Sequence, residues 1–245
     1  MRHSRGLETA GLLVFLAFAS GCDRDAAEQA YFEALDGEKK GRPCEELMPL
    51  VERAIALQPS RSWYWEKRSG YRSGVGDLPG ALADIDKAIS LADRPYLRYS
   101  RAILLCKSGR CQEALRDLDS AIAAQPDNLQ FYRVRAIARV RSGKAAAALE
   151  DGELLVSRQR HVAESFYARG IAFAALGRPR EAVYDFSVVL RADPARVYPL
   201  VDRADAYAAM GEAALAAKDR AEFTRRNVGD GGCLGCGYCA DPLHH

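Results

Sequence analysis

The sequence predicts an all-α fold, a row of stacked helix–turn–helix units, and three observations carry this prediction. Ala, Leu, Arg and the acidic residues are plentiful while Thr and Ile are scarce, which favours helix over strand. Glycines recur once after 33 residues and thereafter every 34. Phe166, Gly170 and Phe173 recur at helical spacing on one face of a single copy.

The composition excludes two broad classes. The 245-residue chain is 49% hydrophobic and 28% charged, which is not the composition of a disordered protein. Its formal net charge of +2 gives no electrostatic case for nucleic-acid binding.

Five residue columns keep the same period over five copies. The glycine column is Gly76, Gly109, Gly143, Gly177 and Gly211. The arginine column is Arg68, Arg101, Arg135, Arg169 and Arg203, each followed by a small residue. The aspartate column is Asp84, Asp117, Asp151, Asp185 and Asp219, each three residues after an alanine. Columns in phase over this length indicate a structural repeat.

One copy, "FYARGIAFAALGRPREAVYDFSVVLRADP", shows how a unit is built. Gly177 ends a first helix and Pro194 cannot extend the second. Small residues at Gly170 and Ala182 allow the two helix backbones to approach closely. The copy resembles the tetratricopeptide repeat (TPR), whose signature positions are occupied here by Phe166, Gly170, Phe173, Gly177, Ala182, Phe186 and Pro194. This resemblance implies a right-handed superhelix, an α-solenoid.

An irregular copy precedes the five regular ones and has Ala54 and Pro59 in phase. We therefore expect six TPR units over 28–227, with atypical first and last units that act as caps. The units lie near 28–61, 62–94, 95–128, 129–162, 163–196 and 197–227.

The arginine and aspartate columns allow two interpretations. They can form a ladder of ion pairs that holds the repeats in register, or the arginines can recognise a ligand. We favour the ladder, because a residue repeated in every unit beside a small packing residue is typical of scaffold positions.

By the TPR resemblance, a partner protein or peptide binds along the concave surface lined by the first helices. The groove-facing residues are then Tyr96, Tyr99, Ile103, Lys107, Arg133, Ile137, Arg141, Tyr167, Ile171 and Tyr198. This set has a basic centre, so a segment with apolar side chains and some negative charge would suit it. Packing against the next repeat is the alternative for each single tyrosine.

The N-terminus is typical of an export signal. Arg2 and Arg5 precede a short apolar run, and "ASGC" ending at Cys22 resembles the lipobox of bacterial lipoproteins. This predicts a signal peptide over 1–21, a lipid on Cys22, a linker over 22–27 and a location in the bacterial cell envelope, anchored to a membrane. Ordinary cleavage after Ala19, which leaves a soluble exported protein, is the alternative.

No arrangement of residues typical of catalysis is present, so we expect a non-enzymatic protein without a cofactor. Cys106 and Cys111 flank one turn and form a possible disulfide in an oxidising compartment, or they are two small packing residues.

The tail, residues 228–245, contains a Gly/Cys-rich motif outside the repeat phase. Its candidate zinc ligands are Cys233, Cys236, Cys239, His244 and His245. The alternatives are a disulfide or flexible tail, and a metal cluster or redox role. The leading functional hypothesis is a lipid-anchored scaffold that binds a partner protein; the second is an envelope metal-binding or thiol-redox protein.

Overall fold

The fold is described from a computed structural model, which covers the backbone of residues 6–227 and the side chains of residues 23–226. These residues form twelve α-helices and no strand, which confirms the all-α prediction. The helices are α1 (Gly6–Lys39), α2 (Cys44–Leu57), α3 (Ser62–Gly74), α4 (Leu78–Leu91), α5 (Pro95–Lys107), α6 (Cys111–Ala124), α7 (Leu129–Arg141), α8 (Ala145–Arg158), α9 (Ala163–Ala175), α10 (Pro179–Ala192), α11 (Tyr198–Ala209) and α12 (Ala213–Asn227).

The helices belong to two compact units, divided after residue 93. In the first unit, α1 packs against α2, α2 against α3, and α3 against α4. In the second unit, α5 to α12 pack in the same consecutive manner. The first helices of successive pairs also meet there: α5 contacts α7, α7 contacts α9, and α9 contacts α11. The second unit therefore presents a face made of α5, α7, α9 and α11.

Glycine ends the turn inside every helix pair. The five predicted turn glycines have φ between 69° and 84°, and a sixth, Gly41, has φ 73° between α1 and α2. This left-handed conformation costs an L-residue about 1–2 kcal/mol and costs glycine nothing. The irregular first copy is thus a helix–turn–helix pair like the others.

Gly170 lets α9 and α10 approach closely. A Cβ atom at this position would lie 2.8 Å from Cε1 of Phe186 and 3.2 Å from Cβ of Asp185. Phe186 is fully buried and cannot move aside. The space that glycine leaves is therefore filled by the neighbouring ring.

The arginine and aspartate columns form the predicted ladder of ion pairs. Each guanidinium donates two hydrogen bonds, from Nε and Nη2, to the aspartate sixteen residues later in the same helix pair, at 2.6–3.0 Å. The aspartates are all buried. Bidentate geometry of this kind satisfies a carboxylate that could not otherwise be buried. This confirms the structural interpretation of both columns.

Some of these arginines also link one pair to the preceding one. Arg135 Nη1 lies 2.8 Å from Asp119 Oδ1 on α6, and Arg203 Nη1 lies 3.0 Å from Ser187 Oγ on α10. The faces of the guanidiniums cover aromatic rings, as Arg169 does over Phe166 and Phe173. The ladder therefore contributes to packing between helix pairs as well as to satisfying the buried carboxylates.

We expect Ser165→Ala to raise the free energy of unfolding by about 1 kcal/mol. Ser165 is 2% exposed, and its hydroxyl has no hydrogen-bond partner among the described residues. The equivalent positions in the other regular repeats are Tyr64, Leu97, Phe131 and Pro199. Alanine removes the unsatisfied hydroxyl and is a better helix former. Urea denaturation measures the change.

Ser157→Ala is the matched control, because this exposed serine on α8 donates to the carbonyl oxygen of Leu154 at 2.8 Å. It measures the gain in helix propensity without a change in burial. An equal gain from both substitutions would show that the buried hydroxyl costs nothing.

For the N-terminal segment, the structure describes the backbone from residue 6 and the side chains from residue 23. Helix α1 runs without a break from Gly6 to Lys39. Among the described residues, no helix has both the length and the apolar character needed to cross a membrane. The side chain of Cys22, the predicted lipidation site, lies outside the described residues.

Candidate functional site

The second unit contains a cavity of about 460 Å³ on its α7, α9 and α11 face. Its walls carry apolar, small, basic and acidic side chains. They are Ile137, Val140 and Arg141 from α7, Tyr167, Ile171, Ala174 and Ala175 from α9, Gly177, Pro179 and Phe186 from the following turn and helix, and Asp202, Asp205, Ala206 and Ala209 from α11. We call this cavity the α7–α9–α11 cleft.

The cleft has opposite charges on its two sides. Arg141 lies on the α7 side and is exposed. Asp202 and Asp205 lie on the α11 side. The hydroxyl of Tyr167 donates to Oδ2 of Asp202 at 2.8 Å, which fixes this carboxylate at the wall. Arg220 Nη2 lies 2.8 Å from Asp205 Oδ1, with both side chains more than half exposed.

Aromatic packing supports the floor of the cleft. The ring of Tyr167 makes an edge contact with Tyr198, with centroids 4.9 Å apart, and lies 5.8 Å from the ring of Phe186. Because Phe186 is fully buried, this stack connects the cleft to the hydrophobic core. The α9 wall is therefore held in place without a ligand.

The ten predicted groove residues differ in where they lie. Four of them, Ile137, Arg141, Tyr167 and Ile171, line the cleft. Tyr99, Ile137 and Tyr167 are nevertheless buried, so these three serve mainly as packing residues. Tyr96 is 45% exposed. The others, half-buried, are Ile103, Lys107, Arg133, Ile171 and Tyr198.

Arg133 lies in a second, mixed cluster of charges. Burial alone would raise the pKa of the Glu164 carboxyl, but a backbone hydrogen bond, the ion pair with Arg196 and the charge of Arg133 together hold it below its usual range. The Nε atom of Arg133 is buried and has no hydrogen-bond partner among the described residues. Burial lowers the pKa of the Lys107 ammonium. The basic residues therefore lie in surroundings that differ from one helix to the next.

Comparison with known proteins identifies the fold. No family model matches the chain, and no curated protein matches it in sequence. Among solved structures, a tetratricopeptide repeat protein from Parabacteroides merdae has a TM-score of 0.70 at 18% identity, covering 82% of this chain and 80% of its own. The fold is that of the tetratricopeptide repeat.

Two further TPR-like structures resemble the chain. PilW, described as a widely conserved type IV pilus biogenesis factor, has a TM-score of 0.67 at 16% identity, covering 86% of this chain and 95% of its own. YrrB, described as a TPR protein with an unusual peptide-binding site, has a TM-score of 0.51 at 20% identity, covering 73% and 92%. At these identities the likeness establishes the TPR fold.

Sequence reasoning missed the acidic wall of the TPR cleft. Asp205 occupies the same repeat position as Ile103, Ile137 and Ile171, so the change from isoleucine to aspartate was a signal in the sequence. Asp202 gave no such signal, because it lies outside the predicted groove column. Its position follows from the hydrogen bond to Tyr167.

The two cysteines of the third TPR unit are free thiols, so the possible disulfide between Cys106 and Cys111 is not formed in this structure. The turn brings them together: the Cys111 thiol lies 3.9 Å from the Cys106 carbonyl oxygen. Burial and the hydrogen bond with Cys111 raise the pKa of the Cys106 thiol. Both side chains are buried and fill the end of the helix pair as small apolar residues.

We expect both thiols to react with iodoacetamide at pH 8 more than about tenfold more slowly in the native protein than in urea. The thiolate is the reactive form, and burial disfavours it. Mass spectrometry of the alkylated peptides measures each rate separately. Reaction of Cys106 at its denatured rate would contradict the buried placement.

The predicted zinc ligands Cys233, Cys236, Cys239, His244 and His245 lie outside the described residues. Within residues 23–226, no group of three His, Cys, Asp or Glu side chains is placed to hold a metal ion. The TPR body thus offers the cleft as its candidate site.

Proposed function

We propose that this protein is a non-enzymatic interaction scaffold that binds a segment of a partner protein in the α7–α9–α11 cleft. The observation that carries the proposal is the cleft itself, an apolar cavity of about 460 Å³ with charged groups at its rim. This volume lies in the range of about 300–1,000 Å³ that is typical of ligand sites. The peptide-binding site for which YrrB is described gives the fold a precedent.

The side chains at the cleft suit protein recognition. Arginine is one of the residue types that most often anchor protein interfaces, and Arg141 is exposed at the cleft. Ile171 is half-buried and adds an apolar surface that a partner side chain can cover. Tyr167 is already fixed by its hydrogen bond to Asp202, so little side-chain entropy is lost when a partner binds.

The test is affinity capture from envelope membranes with mass spectrometry, comparing the wild-type chain with Arg141→Glu. We expect the partner recovered by the wild-type chain to be lost or strongly depleted. Arg116→Glu is the matched control, because it makes the same charge change at an exposed position on α6. Equal recovery by all three chains would overturn the assignment of the cleft.

We also propose that a lipid on Cys22 tethers the scaffold to the cell envelope. The lipobox-like "ASGC" supports this part of the proposal. We expect Cys22→Ser to move the protein from the membrane fraction to the soluble fraction, and mass spectrometry of the N-terminal peptide to detect the lipid in the wild-type chain. An unmodified Cys22 in membrane-bound protein would exclude the lipid anchor.

Zinc binding by the tail remains the second candidate, on the strength of the Cys/His set between Cys233 and His245. Metal analysis of the purified full chain tests it against a variant with serine at the three tail cysteines. Bound zinc that disappears in the variant would support the metal-binding function. Equal metal content in the two chains would remove it.

A further inference from the structure

The charges around the α7–α9–α11 cleft define the kind of segment that the cleft can hold. We propose that it selects an extended segment of a partner protein in which an acidic and a basic residue lie about four to six positions apart, with apolar residues between them. The acidic residue lies against α7 and the basic residue against α11. This inference rests on the proposed function and adds the chemistry of the partner.

The first step is the change of sign across the face. Two adjacent columns of equivalent positions follow α5, α7, α9 and α11 in chain order. They are Lys107, Arg141, Ala175 and Ala209, and Ile103, Ile137, Ile171 and Asp205. Within these two columns, the positively charged residues are on α5 and α7, and the negatively charged residue is on α11. A ligand of uniform charge would meet repulsion on one side.

The second step is that both charges can reach a ligand. Arg141 is exposed, and the side chain of Asp205 is 65% exposed. The ion pair of Asp205 with Arg220 is an exposed one, and such pairs contribute little to stability. A basic residue of the ligand can therefore take the place of Arg220 at small cost.

The third step is the apolar surface between the charges. Ile171 and Ala174 on α9, the helix between α7 and α11, line the cleft together with Ala206 on α11. The small alanines leave the volume that a ligand side chain requires. An aliphatic or aromatic residue of the ligand fits here, midway between its two charges.

The spacing follows from the geometry of the elements. Packed helices lie about 8–10 Å apart, so α7 and α11, with α9 between them, are about 16–20 Å apart. An extended chain advances about 3.3 Å per residue. Allowing for the reach of the arginine side chain, four to six residues separate the two ligand charges. The proposal adds a basic residue to the segment expected from the sequence, which has apolar side chains and some negative charge.

The experiment is a selection of random twelve-residue peptides displayed on phage against the purified full chain. We expect enrichment of an acidic residue followed or preceded, four to six positions away, by Lys or Arg, with apolar residues between them. A second selection uses the double variant Arg141→Glu/Asp205→Lys, in which the charges of the cleft are exchanged. It should enrich the same two charges in the opposite order along the peptide, and peptides from the first selection should bind it more weakly than they bind the wild-type chain.

Fluorescence anisotropy with one selected peptide gives the quantitative test. We expect about tenfold weaker binding to Arg141→Glu or to Asp205→Asn, and unchanged binding to Arg116→Glu. A peptide in which the acidic and basic residues are exchanged should no longer bind the wild-type chain more tightly than the double variant Arg141→Glu/Asp205→Lys. Circular dichroism confirms that each variant is folded, and Asp205→Asn provides a milder change than charge reversal.

The outcomes separate this inference from the function on which it rests. Selected peptides without the charge pattern, or with equal affinity for the wild-type and exchanged clefts, would overturn the inference and leave a peptide-binding scaffold. Selection of no peptide would remove both. Displacement of the selected peptides by an equimolar synthetic peptide of residues 228–245 would assign the cleft to the chain's own segment, and would also overturn the inference.

Discussion

Asp185→Ala should lower the free energy of unfolding by about 3 kcal/mol. The carboxylate is fully buried and accepts hydrogen bonds from Nε and Nη2 of Arg169, each at 2.8 Å. Its removal leaves the guanidinium between two helices without the partner that satisfies it. Urea denaturation measures the loss, and hydrogen exchange should locate it in α9 and α10, because each repeat contacts only its neighbours.

The control for this prediction is Glu181→Gln on the same helix. Glu181 pairs with Arg178 at 2.8 Å, but both side chains are more than two-fifths exposed. We expect no measurable change from its removal, because exposed ion pairs contribute little. The double variant Arg169→Met/Asp185→Leu should recover most of the loss, since it leaves no buried charge. A double variant no more stable than Asp185→Ala would show that specific hydrogen bonds, rather than a stranded charge, carry the effect.

Phe186→Ala should lower the free energy of unfolding by about 4 kcal/mol. The side chain is fully buried, fills the space beside Gly170 and packs against the ring of Tyr167. Alanine leaves a void that the neighbouring backbone cannot close. Since Phe186 also forms part of the cleft wall, peptide binding should weaken together with stability. Denaturation and anisotropy measure the two effects.

Tyr184→Ala is the matched control, two residues earlier on α10. Tyr184 is 61% exposed, so its removal should change the free energy of unfolding by less than about 0.5 kcal/mol. If both substitutions cost the same, the loss would come from helix propensity and not from the core. If Phe186→Ala lost stability but kept full peptide binding, the wall of the cleft would not depend on the aromatic stack.

The sequence was sufficient for the parts of the fold that are tied to the repeat period. The turn glycine, Gly177 in one unit, and the ion pair, Arg169 with Asp185 in the same unit, recur at fixed spacing. They recur because the two helices of every pair pack together in the same way. Gly41 was not predicted as a turn glycine because it lies 35 residues before Gly76, whereas the other intervals are 33 or 34 residues. The extra length shifts the first unit out of phase without changing its turn.

The cleft was only partly predictable. A repeat column predicts the direction in which a side chain leaves its helix. The exposed fraction of that side chain depends on which residues of the neighbouring helices cover it. Tyr167 points along the predicted groove column and is nevertheless 3% exposed, because Tyr198 and Phe186 cover its ring. The acidic side of the cleft could not be predicted from Asp202 alone, since its role depends on a hydrogen bond to a residue thirty-five positions earlier.

Every buried carboxylate of the ladder finds its arginine sixteen residues earlier, inside its own helix pair. Recombination that adds or deletes one full period therefore moves both charges together and leaves no carboxylate stranded in the core. Because each ion pair lies within one helix pair, the chain can gain or lose whole repeats during evolution at little risk to folding. Residues outside the ladder, including those that line the proposed binding cleft, are then freer to diverge.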